Sequence, residues 1–513
     1  MRQILLLTVL LSIFGTCFFL WAAPWGALEC GADEGMEFSK IRLIFQRPDL
    51  VSLAWNDQPW LYSQVFASIF NLTGFHAVIP RLATFLISLG MLLSFGRLMP
   101  KGAGNLHILC SWAFFFCFAD MVNLSVSAML EMPAFGLATI SAALVSQKSS
   151  NWSLMRFGCA GILFAFALQT KLTAAIVLPA AAAQVAVLWF DRSASPNQEG
   201  QLPFTLSNKK KLLIFPIFGL CIFCVTSVLV ALWSPGWDWA LLIGNHMAAS
   251  AAPQAAKLRF EPTTLLASPG TLGGALLCLV ILWRRRRLPE AIYPIVLFAT
   301  VLLIHIYHRP WWDYYQIHFA VPLAILGGWG AGELIRLANN KFNDFGSMRS
   351  VFLCRDNAMM LGCLVIALWA GFELPRGYNN MVLLKQGIRI ADSDEVKLLG
   401  EYKQQTKWAY TRLSNLTAQS GLMLPPELTI LPKKRFWTKE ATEKSVLEIV
   451  KQYQCEVLIL MPNVELKQKQ WNEFVAKEYV NVWSDQYEAI FIAKRLNPKL
   501  PISREDALKR FGI

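Results

Sequence analysis

Charged side chains are scarce in this 513-residue chain: Asp, Glu, Lys and Arg make up 16%, against 55% hydrophobic residues and a mean hydropathy of +0.42. That is too little charge for the surface of a water-soluble globule, and a lipid-facing surface is the simple explanation. Paired cysteine motifs are also lacking. Cys221 and Cys224 form the one CxxC, inside an apolar run, with no second pair or His beside them to frame a metal. No internal repeat and no low-complexity linker is visible. Acids are the scarcer charge, 34 against 47 Lys and Arg. The basic residues fall in short segments between apolar runs, which reads as a topology signal and not as a nucleic-acid surface.

A helix crossing the hydrocarbon core needs about 20 mostly apolar residues. By that measure eleven spans are expected, near 4–21, 78–95, 106–122, 133–145, 155–168, 173–190, 212–233, 266–283, 292–306, 319–335 and 359–372. The first has a basic start at Arg2 and an Ala-Ala-Pro end at 22–24 that imitate a secretory signal, but its length favours a retained helix. Lys and Arg are held on the cytoplasmic side of short loops. Arg97 and Lys101, Lys148 and Arg156, Arg192 with Lys209 to Lys211, Arg284 to Arg287, and Lys341, Arg349 and Arg355 occupy every second loop. The N-terminus is therefore expected inside, and the tail outside with loops 24–77, 123–132, 234–265 and 307–318. The Arg284 to Arg287 run needs nothing beyond this topology rule.

The expected organisation is a transmembrane domain over 1–373, with external loop 24–77, and an extracytoplasmic α/β domain over 374–513. In the tail, 446–452 ends a helical pattern and 455–460 and 489–493 are β-like apolar runs. Pro425-Pro426 and Pro462-Asn463 mark turns. The fold class is thus an α-helical polytopic membrane protein with a small C-terminal α/β soluble domain.

The first external loop carries Asp33-Glu34, Glu37, Lys40 and the stretch Asn56 to Tyr62. Met36, Ile41, Leu43, Ile44 and Phe45 are spaced to form the apolar side of a helix lying on the membrane surface, which would hold Asp33 at the boundary. A carboxylate there can accept the proton of an attacking hydroxyl. The competing reading is a solvated loop acid.

Asp33-Glu34 after the first span, Asn56-Asp57-Gln58-Pro59-Trp60-Leu61-Tyr62, and Arg81 entering the second span resemble the GT-C membrane glycosyltransferases. The similar branch contains the protein O-mannosyltransferases and the lipid A aminoarabinose transferases. Similarity runs from residue 1 to about 330, strongest over 33–93. Tyr410-Thr411-Arg412 and Pro425-Pro426-Glu427 also look like the outer domain of some bacterial members. The resemblance implies transfer of a sugar from a polyprenyl phosphate carrier to an acceptor on the outer face. It puts Asp33 and Glu34 at the catalytic centre and Tyr62 and Arg81 among the substrate-binding residues. Gln58 departs from the family, where a basic residue is followed by two prolines.

Three further places carry candidate binding residues. Glu131, before Pro133, opens the fourth span on the expected outer side, where relatives often have a second-loop acid. It reads either as a substrate-site carboxylate needing a cation or donor, or as a favourable charge at a helix N-terminus. Lys171 interrupts two apolar segments, and there it either snorkels or binds an anion such as the donor phosphate; a Lys after this helix is also what the resemblance implies. The run from His308 to His318 packs His308, Arg309, Tyr314, Tyr315 and His318 among tryptophans. An interfacial aromatic belt accounts for Trp311 and Trp312. The cation, phenols and imidazoles are suited to hydrogen-bonding a phosphate.

The expected reaction is attack by an acceptor hydroxyl, deprotonated by Asp33, on the anomeric carbon with inversion, while Lys171 and Arg309 stabilise the leaving phosphate. The acceptor is a protein, lipid or polysaccharide, and membrane lipids but no nucleic acid are the other expected contacts. No cofactor is demanded; a divalent cation, Mg or Mn, bridging carboxylates and phosphate is the addition this chemistry admits. A bacterial inner membrane is the expected location, from the tail's resemblance. The alternative is a polytopic transporter or a flippase for lipid-linked sugars, which would show inverted repeats and helices broken at midplane.

Overall fold

The computed structural model describes residues 9, 11–13, 15–20, 31–146, 153–194, 213–234, 238, 240–342, 352–386 and 393–496. Helices dominate up to Gln386, and six are long and apolar enough to cross a membrane: Val78–Leu98, Leu172–Phe190, Ile214–Trp233, Leu288–Tyr307, Asp313–Leu337 and Met360–Leu384. Shorter apolar helices at Leu11–Leu20, Asn105–Cys117, Glu131–Val145, Leu154–Thr170 and Pro269–Arg284 fall on the other expected spans.

Helix limits follow local chemistry. Val78–Leu98 accepts Pro80 in its first turn and stops at Met99, which is extended because Pro100 follows. Leu154–Thr170 begins at Ser153, whose hydroxyl accepts from the Arg156 N–H, and ends where Lys171 turns extended. This break at Lys171 separates two apolar helices and leaves its side chain among the neighbouring segments.

The helix Gln316–Phe342 is the axis of the bundle, buried throughout its apolar window. It packs closely on Pro269–Arg284 because both lack side chains at the crossing. A Cβ on Gly274 would stand 2.9 Å from the Gly327 carbonyl oxygen. At the other extreme, Ile214–Trp233 is the most apolar span and the least buried, leaving Leu220, Val228, Leu229 and Leu232 uncovered by protein. Such a face is stable only against lipid.

A helix runs from Phe352 through a wider turn at Trp369–Glu373 to Gln386, unbroken across position 373. Beyond it lies a four-stranded sheet in the order β1-β2-β4-β3, with β1 Ala409–Thr411, β2 Val457–Leu460, β3 Tyr479–Ser484 and β4 Ala489–Ala493. β1 pairs parallel with β2, and β4 runs antiparallel to both β2 and β3. The sheet is buried on both faces. One side packs Tyr410, Leu458, Leu460 and Trp471, and the other Leu399, Val457, Ile459 and Ile490. β2 and β4 coincide with the two expected β-like runs. The expected helical end at 446–452 belongs to the helix Glu443–Gln452, capped by Thr442 and Ser445.

Candidate active site

The helix Gly31–Gln46 carries Asp33, Glu34, Glu37 and Lys40. Its apolar side packs on protein, which corrects the expectation of a helix lying on the membrane surface. Phe38, Ile41, Leu43 and Ile44 are buried against Trp60, Tyr62, Phe66 and Phe70, because the helix Leu61–Thr73 folds back over them. The C-terminal segment covers another part. Gly35 lies so close to Ser414 and Asn415 that a Cβ there would stand 2.5 Å from the Asn415 backbone nitrogen, and Arg42 donates to the Ala418 carbonyl at 2.7 Å.

Asp33, in the first turn, is half-buried and lies close enough to the Tyr314 phenol for its charge to act on it. Beside it Lys171 pairs with Glu131, and the Lys171 ammonium lies 5.1 Å from the Tyr314 ring centroid and 6.0 Å from that of Tyr315. Asp33 is near enough for its charge to act on Glu131, Lys171, Tyr315 and Lys434. Four separate segments thus bring Asp33, Glu131, Lys171, Tyr314 and Tyr315 to one place. A base, a buried cation and two phenols in one half-open layer can hold a phosphate and receive a proton.

Glu34 and Arg81 lie in an adjacent layer and grip each other. Arg81 Nε and Nη2 each donate to a Glu34 oxygen at 2.9 Å, and the Ala128 N–H donates to Oε1 at 2.8 Å. Both side chains are only 1% exposed. Tyr62 is buried nearby, its hydroxyl 3.4 Å from both the Pro80 carbonyl and the Thr84 hydroxyl.

The 308–318 loop divides. His318 is fully buried and stacks on Tyr315 with ring centroids 5.5 Å apart, and its Nδ1 lies 2.9 Å from Nε2 of His305. His308 packs edge-on to Tyr315 at 5.9 Å. Arg309 is exposed and has no ion pair with a described carboxylate. His305 was not singled out from the sequence, since a lone His inside an apolar span reads as an ordinary core residue.

Three further groups cover the Asp33 layer. Lys434, on the short helix Lys433–Trp437 of the C-terminal segment, pairs with Asp57, and His246 Nε2 lies 3.2 Å from the same carboxylate. Burial pushes the Lys434 ammonium down to about 8, with Asp33 and Glu440 pulling it back up. Burial, with Lys171 acting the same way, holds the His246 imidazole down to about 4. At neutral pH the ring is therefore uncharged, and its hydrogen bond to Asp57 is the one from Nε2 to the main-chain carbonyl at 3.2 Å. Trp437 stacks on Trp312 at 6.2 Å, and Glu440 accepts from both Trp55 and Asn245. The signal for Lys434 was Lys433-Lys434-Arg435, a basic run on the expected outer side, where the topology rule calls for none.

Among the described residues no group of three or more His, Cys, Asp or Glu side chains is arranged to hold a metal ion. Of the acids near Asp33, Glu34 and Glu131 already face fixed cations.

No protein-family model matches the chain, and no curated protein does. Solved structures do. ArnT from Cupriavidus metallidurans in the apo state aligns with TM-score 0.60 at 15% identity, over 94% of this chain and 97% of that one. The same ArnT bound to undecaprenyl phosphate aligns with TM-score 0.60 at 13% identity, over the same shares. The Archaeoglobus fulgidus oligosaccharyltransferase in the apo form aligns with TM-score 0.51 at 10% identity, over 98% of this chain and 75% of that one. With the helical bundle, the C-terminal sheet and the Asp33 layer in place, the chain has the fold of the GT-C membrane glycosyltransferases.

Proposed function

We propose that this protein transfers a glycosyl group from a polyprenyl-phosphate-linked sugar to a hydroxyl of an acceptor at the outer face of the membrane. The observation that carries the reading is the meeting of a half-buried carboxylate, Asp33, with the buried cation Lys171 across Tyr314. The acceptor hydroxyl gives its proton to Asp33 as its oxygen bonds to the anomeric carbon. On the opposite side of that carbon the bond to the phosphate oxygen breaks, so the product is inverted. The electron pair leaves on the phosphate, whose growing charge Lys171 stabilises in a water-poor pocket where such interactions are strong.

Glu131 keeps Lys171 charged and aimed before donor arrives, and Tyr315 and His318 wall the phosphate side. Arg309, exposed on the same loop, adds a second cation at the mouth. Glu34 and Arg81 position the helix that carries Asp33 and do not touch the reacting atoms, and Tyr62 braces the same layer. The segment 374–513 lies on the acceptor side and contributes Lys434. The preferred setting is a bacterial inner membrane with that segment outside. A likeness to ArnT, solved with undecaprenyl phosphate bound, supports a prenyl-phosphate donor.

The test uses purified protein in lipid with a panel of radiolabelled polyprenyl-phosphate sugars and an envelope extract as acceptor. Wild type should release and transfer one of the sugars, and Asp33→Asn should bind donor and lose turnover. An active Asp33→Asn protein removes Asp33 from the base role, and no turnover with any donor by folded wild type favours transport or binding.

A further inference from the structure

At the end of the bundle opposite Asp33, the helix Pro269–Arg284 finishes in the run Arg284 to Arg287. About 27 Å of helix separates Tyr315 from Glu333 by the α-helical rise, close to the thickness of a hydrocarbon core. Glu333 accepts from Arg285 at 2.7 Å and from Arg336 at 2.8 Å, and Arg287 pairs with Glu290 at 2.8 Å. Arg285 and Arg287 are thus matched to acids. Arg286 has no acid partner among the described residues.

Arg286 also stands in an unusual seat. The Arg287 N–H reaches back to the Leu282 carbonyl at 2.7 Å and the Arg286 N–H to that of Trp283 at 3.0 Å, which is the hydrogen-bond pattern of a helix closed by a left-handed residue. Arg286 is that residue, with φ +55°. Glycine is the unstrained choice there, so the side chain is retained against a local conformational preference. A rule that counts positive charges per loop is met equally well by an arginine one position away.

Trp283, Arg284, Arg286, Leu288 and Pro289 line a cleft of about 490 Å³. Leu276 (64% exposed), Val280 (38%) and Trp283 (68%) form a stripe at helical spacing that no protein covers and that ends at this cleft. In a bilayer that stripe lies against acyl chains, so a molecule in the cleft has hydrocarbon beside it and guanidinium groups at its head.

We propose that this cleft binds the phosphate of an anionic membrane lipid, with Arg286 donating to the phosphate oxygens and Trp283 seated at the headgroup boundary. The site is independent of the transfer reaction proposed above. Full-length protein would be equilibrated with labelled phosphatidylglycerol or phosphatidylcholine in mixed micelles and the bound lipid counted by native mass spectrometry.

Arg286→Gly removes the charge and relieves the left-handed strain, so the variant folds at least as well as wild type. Its affinity for phosphatidylglycerol should fall about fivefold, the effect of one arginine at an anionic surface. Arg286→Lys should recover most of it, and phosphatidylcholine binding should not change. Equal phosphatidylglycerol retention by Arg286→Gly and wild type overturns the proposal. So does displacement of the bound lipid by millimolar inorganic phosphate, which would make this a soluble-anion site.

Discussion

Replacing Glu34 by Gln separates a positioning role from a chemical one. In the folded protein both Glu34 oxygens take Arg81 N–H groups at 2.9 Å, and Oε1 also accepts from Ala128 at 2.8 Å. Glutamine has the same shape but turns one acceptor into a donor, which would face a donor of Arg81. The guanidinium, 1% exposed, would lose the Glu34 carboxylate that balances it. Removing one partner of a buried pair costs about 3–5 kcal/mol, and most of that comes from the charge left behind. Glu34→Gln should therefore show a clear fall in thermal midpoint in detergent, with lost turnover tracking the lost folded fraction. Changing Arg81→Met in the same chain should restore much of the stability, since two desolvated charges then disappear together; a double-mutant cycle measures that coupling. Asp33→Asn keeps the shape of a half-buried side chain that has no ion pair among the described residues, and should abolish turnover in a protein that remains folded. The reasoning fails if Glu34→Gln is as stable as wild type and as inactive as Asp33→Asn, for then Glu34 acts in the chemistry.

Lys434 titrates near 8 in the folded protein against an ordinary 10.5, so between those values the unfolded chain binds more protons and this residue's contribution to stability rises with pH. Transfer should run the other way, falling above about pH 8 as the Asp57 partner loses its charge, and Lys434→Arg should flatten that limb of the pH–rate profile; an unchanged limb in the variant would reject the assignment. Gly35→Ala should cost about 1–3 kcal/mol by overpacking, because the Asn415 backbone nitrogen stands 2.5 Å from the new methyl. Limited proteolysis should then release the C-terminal segment faster than from wild type, and equal rates would mean that the contact yields without strain.

The apolar runs placed the helices because a span of about 20 apolar residues has few other fates. β2 and β4 were visible for the same reason, being short continuous apolar runs. β1 is only Ala409–Thr411, and β3 is interrupted at Asn481 and Trp483 by an irregular register, so neither shows a clean period. Asp33, Glu131, Lys171, Tyr314 and Tyr315 stood out by residue type and expected depth, helped by the family resemblance. What a one-dimensional reading lacks is partnership. Glu34 meets Arg81 across 47 positions and Asp57 meets Lys434 across 377, so a charged pair in the sequence looked catalytic where folding ties one member to a distant arginine.

Charge matching across this layer supports the assignment of Asp33 more strongly than its position does. Glu34 is held by Arg81, Glu37 by Lys40, Glu131 by Lys171 and Asp57 by Lys434. Each of these carboxylates is already fixed against a cation and is not free to turn towards an incoming hydroxyl. Asp33 has no ion pair among the described residues, lies beside the Tyr314 phenol, and is the more exposed member of the set. An approaching acceptor hydroxyl would therefore meet in Asp33 the carboxylate of this set that is not bound to a cation among the described residues.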